Sequence, residues 1–185
     1  MSANRTGNSR PFVPAPIRRS GAWLLLVVGI AGAVDIAAQD PVTSSRDRGH
    51  LRLGISLGGT ASLGLVTEYI RNDWSGELVI GTVGFRDLSV SAAARRYFGS
   101  GRLRPVVGAG IWNLSVWSEE GSGSALVLRV PLAVDWNVSG THAATVEVGL
   151  NRAIRVQRLD PEDDRPPSRN IVPFPGFSYR YGMER

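Results

Sequence analysis

The sequence predicts an all-β chain folded as an eight-stranded antiparallel up-and-down transmembrane β-barrel. Eight segments alternate apolar and polar residues with the two-residue period of a strand dry on one face and wet on the other. Short turn-like connections alternate with longer ones, and an apolar export leader precedes the first segment.

The segments follow one another at regular intervals. Residues 51–58 set Leu51, Leu53, Ile55 and Leu57 against Arg52, Gly54 and Ser56. Residues 61–71 set Leu63, Leu65, Thr67 and Tyr69 against Ser62, Gly64 and Glu68, with Val66 and Ile70 blurring the contrast. Residues 74–83 oppose Leu78, Ile80 and Thr82 to Glu77, Val79 and Gly81. Residues 88–98 oppose Leu88, Val90, Ala92 and Ala94 to Ser89, Ser91 and Arg95. Residues 104–117 oppose Val107, Ala109 and Ile111 to Gly108 and Gly110. Residues 125–137 give the clearest pattern: Leu126, Leu128, Val130, Leu132, Val134 and Trp136 share one face, Arg129 and Asp135 the other. Residues 143–154 set Ala144, Val146, Val148 and Leu150 against Thr145, Glu147, Gly149 and Asn151. Residues 171–182 set Phe177, Tyr179 and Tyr181 against Gly176, Ser178 and Arg180. A tilted strand needs roughly 9–11 residues to cross the hydrocarbon layer, and most segments meet that length.

Turns are expected at Asn72-Asp73, Gly99-Ser100-Gly101 and Ser139-Gly140-Thr141. Longer, charged loops are expected at residues 118–123 and 156–170, while the connections around Gly59-Thr60 and Phe85-Arg86-Asp87 are short. Short turns on one rim and longer loops on the other fit a bacterial barrel with periplasmic turns. Tyr69, Trp74, Tyr97, Trp136 and Tyr181 then fall at the periplasmic rim, and Phe85, Trp117 and Phe174 near the outer rim, as two membrane-interface girdles. Trp112 sits mid-strand and fits neither.

Residues 1–38 read as a signal peptide, with residues 39–185 as the barrel domain. Arg5, Arg10, Arg18 and Arg19 form a positive leader, residues 22–34 an apolar core, and Ala37-Ala38 a small-residue cleavage site after Ala38. The apolar core is short against the roughly 20 residues of a spanning helix. The length of the leader leaves room for a start codon downstream of Met1. The formal charge of +5 drops to about +2 once residues 1–38 leave with four Arg and Asp35, too little to argue for nucleic acid. All 21 basic residues are Arg. There is no cysteine, so disulfides, thiol nucleophiles and thiolate metal sites are excluded.

Residues 93–98 (AARRYF), the stretch 104–111 (RPVVGAGI) and the closing Phe177-Ser178-Tyr179-Arg180-Tyr181 resemble the small outer-membrane β-barrel proteins of Gram-negative bacteria. The resemblance covers most of the mature chain. It implies localisation in the bacterial outer membrane, both termini periplasmic, with membrane lipid and the barrel-assembly machinery as partners. One departure stands out: Gly182-Met183-Glu184-Arg185 follow Tyr181, whereas such barrels usually end on an aromatic residue.

If the apolar faces touch lipid, Arg52, Glu68, Glu77, Arg95, Arg129, Asp135, Glu147 and Arg180 point inward, with Asn151 beside them. An eight-stranded barrel is about wide enough for its side chains to fill it, so these residues are expected to form an interior polar network that plugs the lumen. The alternatives are a narrow conduit for a small solute or apolar ligand, and a soluble lipocalin-like barrel with its apolar faces turned inward. Catalysis is not expected. His50 and His142 both fall at the periplasmic rim, Ser122 sits in a turn-like Gly-Ser-Gly setting, and no nucleophile elbow precedes a helix. The acidic run at 160–164 lacks the ligand spacing of a calcium loop, and no phosphate loop or nucleotide fingerprint occurs. No metal or cofactor is expected. Arg155, Arg158, Arg165 and Arg169 flank the acidic run and suit anionic headgroups or a surface partner yet to be identified.

Overall fold

The computed structural model describes residues 49–119, 121–159, 163 and 165–183; the leader and its cleavage site, Asp160, Glu162, Asp164 and the last two residues lie outside them. Eight strands form one closed antiparallel barrel in chain order: β1 (His50–Gly58), β2 (Ala61–Arg71), β3 (Trp74–Thr82), β4 (Asp87–Tyr97), β5 (Leu103–Ser118), β6 (Gly121–Ser139), β7 (His142–Gln157) and β8 (Val172–Met183). β8 returns to pair with β1, from Leu51↔Met183 to Gly58↔Gly176, so no edge is left unpaired. The expected all-β, up-and-down architecture is the one observed.

The stagger of the strands follows from their register. Paired residues lead from His142 through Tyr181, Leu53, Thr67, Leu78, Ala92, Ile111 and Leu128 back to β7 at Arg152, ten residues further on. With ordinary strand spacings this stagger tilts the strands by roughly 40°. Ten residues at that tilt rise roughly 25 Å along the axis. Between His142 and Arg152 the outward positions of β7 are Ala144, Val146, Val148 and Leu150, all apolar. That height and composition are those of the apolar band of a membrane barrel.

Alternation puts the apolar residues outside. Leu65, Leu103 and Val146 are 69%, 62% and 62% exposed, and Ile55, Ile80, Leu128, Leu132 and Phe177 are exposed as well. The apolar belt runs through every strand, far beyond the few hundred Å² that a soluble monomer leaves bare. Inside lie Arg52, Glu68, Glu77, Arg95, Arg129, Asp135 and Arg180 together with Ser56, Ser75, Ser89, Ser91 and Thr145.

Short connections close one end, the turn end. Asn72 takes φ 56° in the two-residue β2–β3 hairpin, a left-handed conformation that asparagine tolerates. At the other end, the loop end, the strands differ from expectation. The 118–123 connection is no extended loop: β5 runs to Ser118 and β6 starts at Gly121, paired through Trp117↔Ser122 and Ser118↔Gly121. Ser122, Gly123 and Ser124 carry no apolar alternation because neither face of this hairpin tip needs to be dry, yet the backbone ladder continues.

Two expected girdle residues are corrected by the same alternation. Tyr97 is 2% exposed and faces the lumen, because it shares the parity of Arg95 and Ala93. Its neighbour Phe98 is exposed at that rim instead. Phe174 pairs with lumen-facing Gly149 and meets buried Trp112 edge-on at 6.1 Å, so it covers the loop-end mouth instead of facing outward. Tyr69, Trp74, Trp136 and Tyr181 at the turn end, and Phe85 and Trp117 at the loop end, are exposed.

Close strand approach is set by glycine at Gly110, where a Cβ would lie 2.7 Å from Ala93 Cα on β4. Gly110→Val is expected to cost about 3 kcal/mol of stability in detergent micelles, read by urea unfolding. Ala109→Val, one residue away on the exposed face, should change stability by less than about 0.5 kcal/mol.

Candidate functional site

The lumen gathers the charges. They come from all eight strands, and alternate positions along each strand aim them at the axis. Six of them form one alternating chain of acid and base. Glu68 takes a hydrogen bond from Arg180 at 2.5 Å; Arg180 also reaches Glu77 at 2.6 Å. Glu77 pairs with Arg95, which spans to Glu147 at 2.7 Å, and Glu147 pairs with Arg129. A second cluster sits toward the turn end, where Asp135 accepts from Arg104 at 2.9 Å, Thr145 at 2.9 Å and Arg52 at 3.2 Å. All eight interior residues expected from the sequence therefore fall into two clusters. Asn151, expected beside them, donates to the carbonyls of Gly149 and Val172 instead.

Burial makes this pairing obligatory. Glu68, Arg95 and Asp135 have no measurable exposure, and Arg129 and Arg180 have 2%. An isolated charge so far from bulk water would cost several kcal/mol, so each needs a partner. Neutral groups complete the shell. Ser75 and Tyr97 donate to Glu68 at 2.7 Å and 2.5 Å, and Arg129 donates to Ser91 at 3.2 Å. Gly149 leaves space for Arg129: a Cβ there would lie 3.1 Å from the Arg129 Nε.

Both ends of the charged column are capped by rings and aliphatic groups. Ile70, Tyr97 and Val106 cluster with Ala133 at the turn end, and the Arg104 guanidinium lies 4.4 Å over the Tyr97 ring. At the other end Trp112 donates to Ser89 at 2.8 Å and is covered by Phe174. Between them a cavity of about 20 Å³ touches Ser56, Thr60, Glu77, Arg129, Glu147 and Arg180. That space suits about one water molecule.

Sequence reasoning missed Arg104, Tyr97 and Trp112 as lumen residues. The signal was available in parity: Arg104 and Trp112 share the face of Gly108 and Gly110, and Tyr97 that of Arg95. His142 takes no part in the column. It lies at the turn-end rim, 2.5 Å from the Tyr179 hydroxyl and edge-on to Tyr181 at 5.2 Å. Among the described residues no group of three or more His, Asp or Glu is placed to hold a metal ion.

The β7–β8 loop is braced by charge. Arg165 grips Asp163 with two donors at 2.8 Å and 2.6 Å, and Arg158 approaches Asp163 and donates to the Arg165 carbonyl at 3.2 Å. The Arg165 guanidinium holds the Asp163 carboxyl below the usual carboxylate range.

The solved N-terminal β-barrel domain of Pseudomonas aeruginosa OprF is similar in fold, with a TM-score of 0.52 at 12% identity over 73% of this chain and 96% of that one. No protein-family model and no curated protein matches the sequence. The likeness is one of fold: a closed eight-stranded barrel.

Two outcomes follow from this geometry. Glu77→Gln leaves Arg95 and Arg180 short of a counter-charge and should lower unfolding stability in micelles by about 3–5 kcal/mol; a loss below about 1 kcal/mol would contradict the buried network. Asp163 behaves differently. Because its folded pKa is depressed, its pairing is fully present above the ordinary carboxylate value and is lost only as pH falls through the lower one. A carboxyl carbon NMR titration should find Asp163 still ionised at about pH 3, where an ordinary aspartate is mostly protonated, and Arg165→Ala should return its midpoint to roughly the ordinary value.

Proposed function

We propose that the chain is an integral outer-membrane barrel with a structural or surface-interaction role, a lumen closed to solutes and no enzymatic turnover. One observation carries the reading: the exposed belt is apolar while the enclosed core is salt-bridged. Lipid is the solvent that suits such a belt, and paired charges suit a filled core. The apolar height of roughly 25 Å matches a bilayer interior as barrels span it. A lipocalin-like binder would need an apolar interior, and here arginine and carboxylate occupy that volume. Membrane lipid and the barrel-assembly machinery are the proposed partners, the latter reading the outward Phe177, Tyr179 and Tyr181 of the closing strand. Localisation in the outer membrane follows export by the leader at 1–38 and its cleavage after Ala38.

A closed lumen is the alternative to a conduit. The continuous chain from Glu68 to Arg129 crosses the bore, and the caps at Tyr97 and Trp112 stand on either side of it. Purified protein in a planar bilayer should therefore show no regular conductance steps. Stepwise currents of reproducible size would replace this reading with the channel.

A further inference from the structure

The outward face of β7 ends in arginine. Arg152 is the first charged outward residue above His142, ten residues and roughly 25 Å along the axis. It therefore stands at the loop-end edge of the apolar band. Arg155 follows across a bulge: Arg152 pairs with Leu128, and Arg155 with Leu126. Both arginines are exposed. Aliphatic side chains surround them, with Leu128 46%, Ile154 52% and Ile171 63% exposed. Ile171 directly precedes Val172, the β8 partner of Asn151.

The other charged groups of the wall have partners. Arg52, Arg95, Arg104, Arg129 and Arg180 each meet a carboxylate in the lumen. Arg96, outward at the turn end, lies 5.5 Å over Trp74 and 5.4 Å over Phe98. Arg152 and Arg155 meet neither a carboxylate nor a ring among the described residues. A guanidinium at a hydrocarbon boundary attracts an anion more strongly than it would in bulk water, and its planar fork matches phosphate.

We propose that Arg152 and Arg155 form a docking site for the phosphorylated headgroup of an outer-leaflet lipid, whose acyl chains start at Leu128 and run down the band past Leu150 and Val148, while Ile154 and Ile171 flank the headgroup end. The aliphatic flank selects a lipid over a free anion, since a soluble phosphate gains nothing from it. The site lies on one sector of the barrel, so it would hold lipid at the β6–β8 side specifically. This proposal rests on the membrane reading above and names the partner at one place on the wall.

The test uses the purified chain in phosphatidylethanolamine vesicles carrying either lipid A with two phosphates or the same lipid dephosphorylated, with retained lipid counted by mass spectrometry. The wild-type chain should retain the phosphorylated form roughly tenfold better, given the attraction of each basic residue for an anionic surface. Arg152→Gln with Arg155→Gln should abolish most of that preference while the barrel keeps its heat-modifiable gel mobility. Arg96→Gln, at the opposite rim, should leave it intact. Equal retention of both lipids by the wild-type chain, an unchanged preference in the double variant, or displacement by inorganic phosphate alone would overturn the proposal. A chain that inserts into neither vesicle would overturn the membrane reading itself, a result distinct from insertion without preference.

Discussion

Charge compensation inside the wall constrains everything else in this barrel. Arg95, Arg129 and Arg180 bring three positive charges into a space closed off from bulk solvent, and Glu68, Glu77 and Glu147 answer them in strict alternation. The partners come from β2, β3, β4, β6, β7 and β8, so the pairing ties together strands distant in sequence. Arg180 and Glu68 lie 112 residues apart along the chain. A slip of one residue in any strand would turn its charge toward the outside and its leucines toward the carboxylates. Register and electrostatics therefore fix each other, and the apolar belt is the opposite side of the same alternation.

Filling the core with long charged side chains requires room, and small residues provide it. Gly149 faces Arg129, and Ser91 supplies that arginine with an acceptor. Where two backbones approach closely, as at Gly110 and Ala93, the side chain is omitted. The ends use a different chemistry. Tyr97 joins the two regimes, since its ring packs with Ile70 and Val106 while its hydroxyl donates to Glu68. Arg104 does the same from the other direction, stacking on that ring and pairing with Asp135. The column is aliphatic and aromatic at its caps and ionic between them.

Much of this architecture was legible in the sequence because a two-residue period separates lipid-facing from lumen-facing positions wherever one face must be dry. Leu128 and Arg129 announce opposite sides without knowledge of any neighbour. Nearness to a strand end is a poorer guide than parity for two aromatic residues: Tyr97 follows Arg95 inward, and Phe174 follows Gly176. The tips of β5 and β6 were illegible for a physical reason, since a hairpin wet on both faces carries no hydropathy period while its hydrogen bonds persist. Which acid meets which base was equally hidden. The choice of Glu77 over Asp135 for Arg180 depends on stagger around the closed wall, a quantity that no single strand encodes.

The most direct measurement is footprinting of the unmodified chain by a carbene released from the acyl-chain ends of vesicle lipids, read by peptide mass spectrometry. Adducts should fall on Ile80, Leu128, Leu132 and Val146 and spare Val66, Val79 and Val127, valines that differ from them in the direction they face and not in their affinity for lipid. Adducts on the second set, or none on the first, would contradict a wall whose apolar side meets hydrocarbon and whose ionic side is enclosed.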